Sequence, residues 1–536
     1  MYDEAVAAGR VALSQGAWSV ARARFEAALE LVETPEAFEG LSWAAWWLEE
    51  VAACLNAREQ AYLLYRRAGD ARGAARMALW LGDDHNEFHG GAAVAEGWFN
   101  RAARLLDELE SCPERGWLTV FDAHAALGGH DTSRARELAV QAREVGRRHG
   151  AVDLEMFSLA TEGLALVEEG AVAEGMRCLD EATAAALGGE YENLAPAAWT
   201  CCRLISACEE VRDYERAAQW CRQIEEFSRR MEARFVTGVC RAHYAAILGW
   251  QGNLTEAERE LTAAREDLTA KRPHWRVEAV VRLGELRRRQ GRSAEAEALF
   301  DEAPWHSVAQ RGLAELCLDR EDPAAARELL ERMLRRIPSP GSVGRAWPLE
   351  LLVRAESALG DHASAAAHLA EFCSIASAVG TRPLRAAARF AEGVHAAAQD
   401  DHERACDCFE DAVDLLEPLA PIEAGRTRLE LARSLLALGR PDAAGREART
   451  ALQVVAVPSR NEAALLTALG LQSTVLSARQ VEVLRLIASG HGDREIAGRL
   501  VISEHTVHRH VANIYTRLGC STRAAAVSQA TQLGLL

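Results

Sequence analysis

Asp400-Asp401-His402-Glu403-Arg404-Ala405-Cys406-Asp407-Cys408-Phe409-Glu410-Asp411-Ala412 is the stretch that decides the fold. Two aspartates suited to a turn come first, and alanine, phenylalanine and alanine follow at positions 405, 409 and 412. Intervals of four and three residues place these three side chains on one face of a helix. Alanine lets a second, antiparallel helix approach closely, and phenylalanine fills the gap one turn later. The stretch therefore predicts the second half of a helical hairpin.

The same pattern recurs along most of the chain. A turn residue followed by an alanine-based helix stands at nine positions: Gly16, Gly170, Asp213, Gly252, Gly291, Asp322, Gly360, Asp400 and Gly439. From Gly170 onward the intervals are 43, 39, 39, 31, 38, 40 and 39 residues. Two helices of about 14–16 residues and two short turns account for such a period. Because one helical pair cannot bury its apolar face alone, neighbouring pairs must stack.

The predicted fold class is therefore all-α, with a solenoid of antiparallel helix pairs over residues 1–456. The repeat resembles tetratricopeptide-like α-solenoids, although its period exceeds the usual 34 residues and its spacing before Gly170 is irregular. This resemblance implies a sensor or partner-binding region.

The composition argues against several classes of enzyme. The 536 residues include a single lysine, Lys271, and no glycine-rich loop precedes it. A Walker A loop and a protein kinase each need a phosphate-binding lysine, so neither class is expected. The 13 cysteines form no CxxC pair, and no nucleophile and histidine stand at a recognisable catalytic spacing. The sequence predicts a protein that is not an enzyme, with no catalytic residue, metal site or cofactor.

The beginning of the chain is acidic and carries no basic region followed by an apolar one. No stretch approaches 18 consecutive apolar residues, the length that a membrane-spanning helix needs. We therefore expect a cytoplasmic protein that has neither a secretory signal nor a membrane partner.

The tail beyond residue 456 differs from the repeats. Pro458 and Asn461 interrupt the pattern, which predicts a linker over residues 457–472 and a separate domain over residues 473–536. From Ser477 to the end, seven arginines oppose four carboxylates, a net charge of +3. The whole chain carries −18, so the remainder carries −21. This division of charge predicts that only the tail meets a polyanion.

Four helical segments are predicted in the tail. Ser477 is placed to cap the first helix, a short helix covers residues 493–500, and Ser503 is placed to cap a third helix over about 504–518. The fourth helix covers about 522–533. Apolar residues share one face of the first and third helices: Val481, Leu484, Ile487 and Ala488, then Val507, Val511, Ile514 and Leu518. The opposite face of the third helix exposes His505, His508, Arg509, Ala512 and Thr516. Two helices joined by a short turn, the second with exposed basic groups, predict a helix-turn-helix that enters the major groove of DNA.

Several runs in the tail are typical of one family: Leu476-Ser477-Ala478-Arg479-Gln480-Val481-Glu482-Val483-Leu484, Glu495-Ile496-Ala497, Ile502-Ser503-Glu504-His505-Thr506-Val507, His510-Val511-Ala512-Asn513-Ile514, Arg517-Leu518-Gly519 and Arg523-Ala524-Ala525-Ala526-Val527. Over about 60 residues without a gap, the tail closely resembles LuxR-type DNA-binding domains. The repeats are also similar to the helical-repeat region of large LuxR-type regulators.

The LuxR resemblance implies three groups of site residues: base contacts from His508, Arg509 and Ala512, phosphate contacts from Arg494, Ser503, Thr506 and Arg517, and dimerisation contacts from Ala525, Ala526 and Val527. Three positions depart from the family pattern. His508 stands where a lysine is frequent, Gly492 replaces the usual serine cap, and Ala512 offers only a methyl group. These departures concern the operator sequence rather than DNA binding itself.

Trp43, Trp46 and Trp47 form an aromatic cluster to which Trp18 is a candidate neighbour. Their helical spacing favours core packing, and a small-molecule or peptide site on the concave face is the alternative. His85 and His89 lie four residues apart, but the glutamate of a metalloprotease helix is one position late, so a solvated turn is expected there.

The sequence thus predicts a sequence-specific DNA-binding transcriptional regulator. The resemblance favours an activator that binds a two-fold operator on double-stranded DNA as a homodimer, with RNA polymerase as a further partner. A small-molecule or protein effector would act at the solenoid. The alternative is a protein-interaction scaffold in which DNA binding is secondary.

Overall fold

The computed structural model describes residues 1–536 except 108, 269–271, 418, 456–458, 472–475, 477, 519, 521, 533 and 534. Within these described residues every regular element is helical, which confirms the predicted all-α class. A short 3₁₀ helix covers Val343–Arg345. The α-helices are α1 (Tyr2–Ser14), α2 (Trp18–Leu31), α3 (Pro35–Trp47), α4 (Val51–Ala68), α5 (Ala71–His89), α6 (Ala92–Leu106), α7 (Pro113–Gly128), α8 (Thr132–His149), α9 (Val152–Glu168), α10 (Val172–Gly188), α11 (Leu194–Glu210), α12 (Tyr214–Arg230), α13 (Arg234–Trp250), α14 (Leu254–Asp267), α15 (Pro273–Arg289), α16 (Ser293–Asp301), α17 (Ser307–Asp319), α18 (Pro323–Arg336), α19 (Ala346–Leu359), α20 (His362–Val379), α21 (Arg382–Ala397), α22 (His402–Leu416), α23 (Pro421–Ala437), α24 (Pro441–Ala451), α25 (Arg460–Ala468), α26 (Ala478–Ala488), α27 (Asp493–Leu500), α28 (Glu504–Leu518) and α29 (Arg523–Gln532).

Every predicted hairpin turn contains a residue with left-handed backbone geometry. Glycine occupies this position in six of the nine turns, while Arg212, Glu321 and Asp400 adopt it in the others. Three further hairpins turn at Glu49, Gly90 and His130, in the region where the sequence spacing is irregular. A glutamate or histidine at positive φ leaves no mark in a sequence, so the pattern missed the turns at Glu49 and His130.

The phenylalanines of the repeat pack against glycines of neighbouring helices. Phe409 is buried, and a methyl group on Gly393 of α21 would lie 2.6 Å from its ring. Phe25 is fully buried, and a methyl group on Gly9 of α1 would come within 2.8 Å. Gly40 of α3 faces the same Phe25 ring. Small residues opposite large ones let the helices of a hairpin stack without voids.

The first compact unit consists of Met1–His243 and Ala263–Ala279. A buried ion pair joins α4 and α5 in this unit. Arg58 Nε lies 2.7 Å from Asp84 Oδ2, and both side chains are at most 1% exposed. The Arg58 guanidinium also lies 4.4 Å from the Trp43 ring centroid. Losing either partner would leave an uncompensated buried charge, so the pair fixes α4 against α5.

The predicted solvated turn around His85 is wrong, because His85 and His89 both lie in the last turns of α5. Glu87, between them, is buried and forms an ion pair with Arg272. Among the described residues, no group of histidine, cysteine and acidic side chains is arranged to hold a metal ion.

The second compact unit consists of Tyr244–Thr262 and Val280–Leu536. Its hairpins α19–α20, α21–α22 and α23–α24 follow one another, and buried alanine, leucine and phenylalanine side chains fill the space between them. No helix in the described part of the chain combines the length and apolarity needed to cross a membrane.

The predicted linker 457–472 contains a helix, α25, which begins at a capping box in which Ser459 and Glu462 bond to each other's backbone N–H groups. Leu465 and Leu466 of α25 are buried in the same core as α22, α23 and α24. Residues 460–468 therefore extend the repeat array. Ser459 marks the start of this helix inside the predicted linker.

Candidate nucleic-acid interface

The last four helices form a small domain around their own core. The core includes the predicted Val481, Leu484 and Ile487 of α26 and Val507, Val511 and Ile514 of α28. Val483 is also buried, whereas the predicted Ala488 is exposed, because α26 ends at that residue and the chain turns away. This core fixes α27 and α28 relative to each other, which is the requirement for a helix-turn-helix.

Val501 and Ser503 set the turn between α27 and α28. Val501 closes α27 with φ of 53°, a left-handed conformation that β-branched residues rarely adopt, and its side chain is 89% exposed. Ser503 then caps α28, since its Oγ accepts a hydrogen bond from Thr506 N at 3.1 Å. On the other side of the turn, Arg479 donates to Leu500 O at 2.5 Å and satisfies the end of α27.

The start of α27 shows how a glycine replaces the usual serine cap. Gly492 has no side chain to accept a hydrogen bond, but its N–H donates to Glu495 Oε2 at 3.0 Å. This backbone hydrogen bond holds the pKa of Glu495 below its usual range. Half of a capping box is thus retained.

The outer face of α28 is open to solvent. His505, His508, Arg509 and Ala512 are all exposed, as predicted. Arg509 of α28 and Arg494 of α27 form no ion pair with any described residue. Guanidinium groups of this kind are the ones that recognise phosphates and guanine edges in proteins that bind DNA.

His508 is held by an acidic partner. Its Nε2 lies 2.8 Å from Asp493 Oδ2, at the first residue of α27. Asp493 also pairs with Arg523 of α29, and Arg523 donates to His491 O at 3.0 Å. The carboxylate therefore links α27, α28 and α29. Sequence spacing gave no sign of this link, because Asp493 and His508 belong to different helices.

The predicted phosphate contacts that the structure describes lie on α27 and at the start of α28. Ser503 and Thr506 share a hydrogen bond of 2.7 Å between their hydroxyl oxygens at the start of α28, where backbone N–H groups favour an anion. Arg494 is exposed on α27. The Arg517 side chain lies outside the described residues, as do Ser477 and the Thr516 side chain.

The predicted dimerisation residues differ in how far their side chains are exposed. Ala525 is exposed and Val527 is half-buried on α29. Ala526 is fully buried in the domain core, so its prediction as a surface contact is wrong. An alanine run offers no periodic signal that would distinguish these neighbours from one another.

Among the described residues, two polar contacts join this domain to the repeats of the same compact unit. Arg485 Nη1 of α26 lies 3.6 Å from Glu295 Oε1 of α16. Thr255 Oγ1 of α14 donates to Thr531 O of α29 at 3.2 Å. Both contacts use α26 and α29 rather than α27 and α28. Nothing in the sequence distinguishes Arg485 from any other arginine on a helix.

Arg485 occupies an unfavourable setting. Burial and the charge of Arg292 lower its pKa to about 10, although Glu295 acts in the opposite direction. Its Nε and Nη2 atoms are buried with no hydrogen-bond partner among the described residues. The contact between Arg485 and Glu295 is therefore weak, because the guanidinium is desolvated and its one ion pair is long.

Comparison with known proteins supports the identification of the domain. Residues 474–530 match the family described as bacterial regulatory proteins, luxR family. The tail is 48% identical over 62 residues to a probable transcriptional regulatory protein NarL of Mycobacterium tuberculosis (strain ATCC 25618 / H37Rv) and 42% identical over 62 residues to the oxygen regulatory protein NreC of Staphylococcus aureus (strain USA300). Each match covers 12% of this chain and 29% of the relative. The C-terminal domain is a LuxR-type helix-turn-helix domain.

A larger regulator is similar over the same segment. The HTH-type transcriptional regulator MalT of Serratia proteamaculans (strain 568) is 40% identical over 63 residues, which cover 12% of this chain and 7% of that protein. Among solved structures, the APC/C hetero-tetramer Cut9-Hcn1 aligns with 99% of this chain and 96% of its own, at 14% identity and a TM-score of 0.45. Yeast Tom70 aligns with 84% of this chain and 96% of its own, at 14% identity and a TM-score of 0.32.

Proposed function

We propose that this protein is a transcriptional regulator that binds double-stranded DNA through α28. The observation that carries this proposal is the exposed face of α28 in a LuxR-type domain, with Arg509 and Arg494 uncommitted. The tail's net charge of +3, against −21 for the remainder, favours approach to DNA by this domain alone. Arg509, His508 and Ala512 read bases, while Arg494, Arg517, Ser503 and Thr506 hold phosphates.

The proposed complex is a homodimer on a two-fold operator. Exposed Ala525 and half-buried Val527 on α29 support a small apolar pairing surface. Pairing of two domains would set the separation of the two half-sites. The mode of regulation that we propose is activation through contact with RNA polymerase, on the resemblance of the tail to LuxR-type domains.

We assign control of this activity to the repeats. Their contacts with Arg485 and Thr531 involve α26 and α29, and α28 stays exposed in the same structure. The repeats would therefore restrain pairing through α29 rather than cover the base-reading helix. An effector that weakens these contacts shifts the population toward the paired, DNA-binding form.

Selection of the full-length protein on random duplexes at fixed salt tests this function. We expect enrichment of an inverted repeat whose half-sites lie one helical turn apart. Enrichment of a single half-site would reject pairing, and no enrichment above non-specific binding would favour the interaction scaffold instead.

A further inference from the structure

A cavity of about 700 Å³ lies within the first compact unit, far in sequence from the DNA-binding domain. Its walls come from α1, α2, α3, α5 and α7 and from the segments that lead into α9 and α11. The volume falls within the range of natural small-molecule sites.

Five tryptophans line the cavity: Trp18, Trp43, Trp47, Trp80 and Trp117. Trp18 and Trp47 are stacked with ring centroids 4.6 Å apart, and Trp43 and Trp80 meet edge to face at 5.1 Å. Trp80 also lies 5.3 Å from Trp117. Each of these side chains is at most 9% exposed, so packing holds the rings in place before any ligand arrives.

One predicted member of the aromatic cluster does not line the cavity. Trp46 is 1% exposed and packs against Trp47, Trp199 and Phe235. Trp46 therefore belongs to the core, as its helical spacing predicted. Trp43 and Trp47 pack against neighbouring side chains and also border the cavity. Trp80 and Trp117 join them from later helices.

The charged residues that line the cavity are mostly acidic. The basic residues of the lining are two arginines, Arg10 and Arg76. The acidic residues are six: Glu36, Glu39, Asp70, Glu114, Asp153 and Glu192. Arg76 is already committed, because it contacts Glu39 at 2.7 Å and Glu114 at 3.1 Å. Although burial favours the neutral acid, the hydrogen bonds from Arg76 hold the pKa of Glu39 below its usual range.

Asp153, Glu36 and Glu192 remain without a cationic partner among the described residues. Asp153 accepts only backbone hydrogen bonds, from Glu192 N and Asn193 N at 2.9 Å each. These bonds join the start of α9 to the start of α11 and hold the carboxylate at the edge of the cavity. A partly desolvated, unpaired carboxylate is stabilised by a cation.

We propose that this cavity binds a small organic cation, an amine or guanidinium group on an aromatic or apolar body. The body lies against the tryptophans, and the positive charge faces Asp153 and Glu192. Tryptophan rings favour a cation as well as an apolar group, so both parts of the ligand find partners. An organic anion of the same shape would face the uncompensated carboxylates and is excluded by repulsion.

Calorimetry on the full-length protein tests this site with a matched series of probes. The series contains phenethylamine, tryptamine and phenethylguanidine as cations, phenethyl alcohol as the neutral analogue, and phenylacetate as the anion. We expect saturable binding of the cations and at least tenfold weaker binding of the alcohol and the acid. Binding of the alcohol or the acid as tightly as the amine, or binding of no cation at millimolar concentration, overturns the proposal.

Amine binding by variants of the lining residues tests whether the ligand occupies this cavity. Asp153→Asn and Glu192→Gln should each weaken amine binding about fivefold or more, whereas Glu181→Gln, an exposed acid of α10 in the same unit, should not. Because Asp153 also holds two backbone N–H groups, the exposed Glu192 provides the variant that leaves the fold intact. Unchanged amine affinity in both Asp153→Asn and Glu192→Gln places the site elsewhere and contradicts the proposal.

The link to gene regulation needs a separate measurement, since the cavity can bind a cation whether or not the tail binds DNA. Operator affinity is measured with and without saturating amine. A change in operator affinity supports the cavity as the effector site of the proposed regulator. Amine binding that leaves operator affinity unchanged would retain the binding site and reject its role in the proposed control.

Discussion

The repeats and the DNA-binding domain both consist of packed helices, but their sequences specify these helices in different ways. In the repeats, the turn position accepts glycine, aspartate, arginine, glutamate or histidine, and the hairpin still forms. In the C-terminal domain, α27 is only eight residues long, and Gly492, Arg479 and Val501 each have a specific task at its ends. The repeats thus accept many residue types at their turns but require side chains of particular sizes in their core. The small domain depends instead on individual polar contacts.

The largest expected effect concerns side-chain size in the repeats. Phe25→Ala removes a fully buried ring that faces Gly9 and Gly40, which have no side chains to fill the space. We expect a loss of about 3–5 kcal/mol in the local stability of α1–α3. Hydrogen exchange on the full chain should show this loss there and not in α26–α29. Exposed Val20→Ala serves as the control, and equal exchange in both variants would contradict the packing argument.

The contact between the two regions gives the next effect. Arg485→Met removes a cation whose pKa is lowered by burial and by Arg292, and the methionine keeps an apolar stem. The contact should therefore tighten, and operator affinity of the full chain should fall roughly threefold to tenfold, the equivalent of about 1 kcal/mol. Arg446→Met, at an exposed position of α24, is the matched control. Higher operator affinity in Arg485→Met would contradict a restraining role for the repeats.

The acidic cavity of the first unit predicts a pH effect of similar or smaller size. Burial raises the pKa of Asp153 to about 6, so this carboxylate takes up a proton as the pH falls from 7.5 to 5. Phenethylamine stays charged over this range, and its affinity should fall roughly threefold to fivefold at the lower pH. Calorimetry at both values should give a flatter profile for Asp153→Asn. The same profile in that variant and the wild type would show that another group titrates.

The same Asp153 shift fixes the sign of a stability effect. The folded state binds this proton more tightly than the unfolded state, in which aspartate titrates near pH 3.9. The contribution of Asp153 to stability is therefore most favourable below about pH 4 and is lost as the pH rises through 6. Asp153→Asn should remove this part of the pH dependence.

The smallest effect concerns the turn of the small domain. Val501→Gly relieves a left-handed valine, worth about 1–2 kcal/mol, and loses little packing because the side chain is 89% exposed. The extra freedom of glycine in the unfolded chain offsets about 0.5–1 kcal/mol of this gain. Exchange protection of α27 and α28 should rise by up to about 1 kcal/mol. Reduced protection would show that the valine side chain has a packing role.

Sequence periodicity predicted the hairpins because the alanine and phenylalanine spacing reflects a local packing rule. It could not predict the turns at Glu49 and His130, where ordinary side chains adopt positive φ, or the helix α25 within the expected linker. In the DNA-binding domain, the exposed face of α28 followed from its apolar stripe. The link from Asp493 to His508 depends on the packing of separate helices.

The cavity shows the same limit more strongly. Trp43 and Trp47 lie close in sequence and were identified as candidates, whereas Trp80 and Trp117 approach them only after several hairpins have stacked. Two of the unpaired carboxylates, Asp153 and Glu192, come from still later segments. Local patterns therefore indicate which residues could bind a ligand, and stacking decides which of them share one site.

The most direct test of base reading by α28 compares wild type, Arg509→Ala and Arg494→Ala on the selected operator and on random duplex DNA over a range of salt. If Arg509 reads a base, as proposed, Arg509→Ala should lose about 1–3 kcal/mol of binding free energy on the operator and little on random DNA. Arg494→Ala should weaken both alike and reduce the salt slope by about one, as expected for a phosphate contact. Equal losses on operator and random DNA in both variants would contradict the assignment of α28 as the helix that reads the sequence.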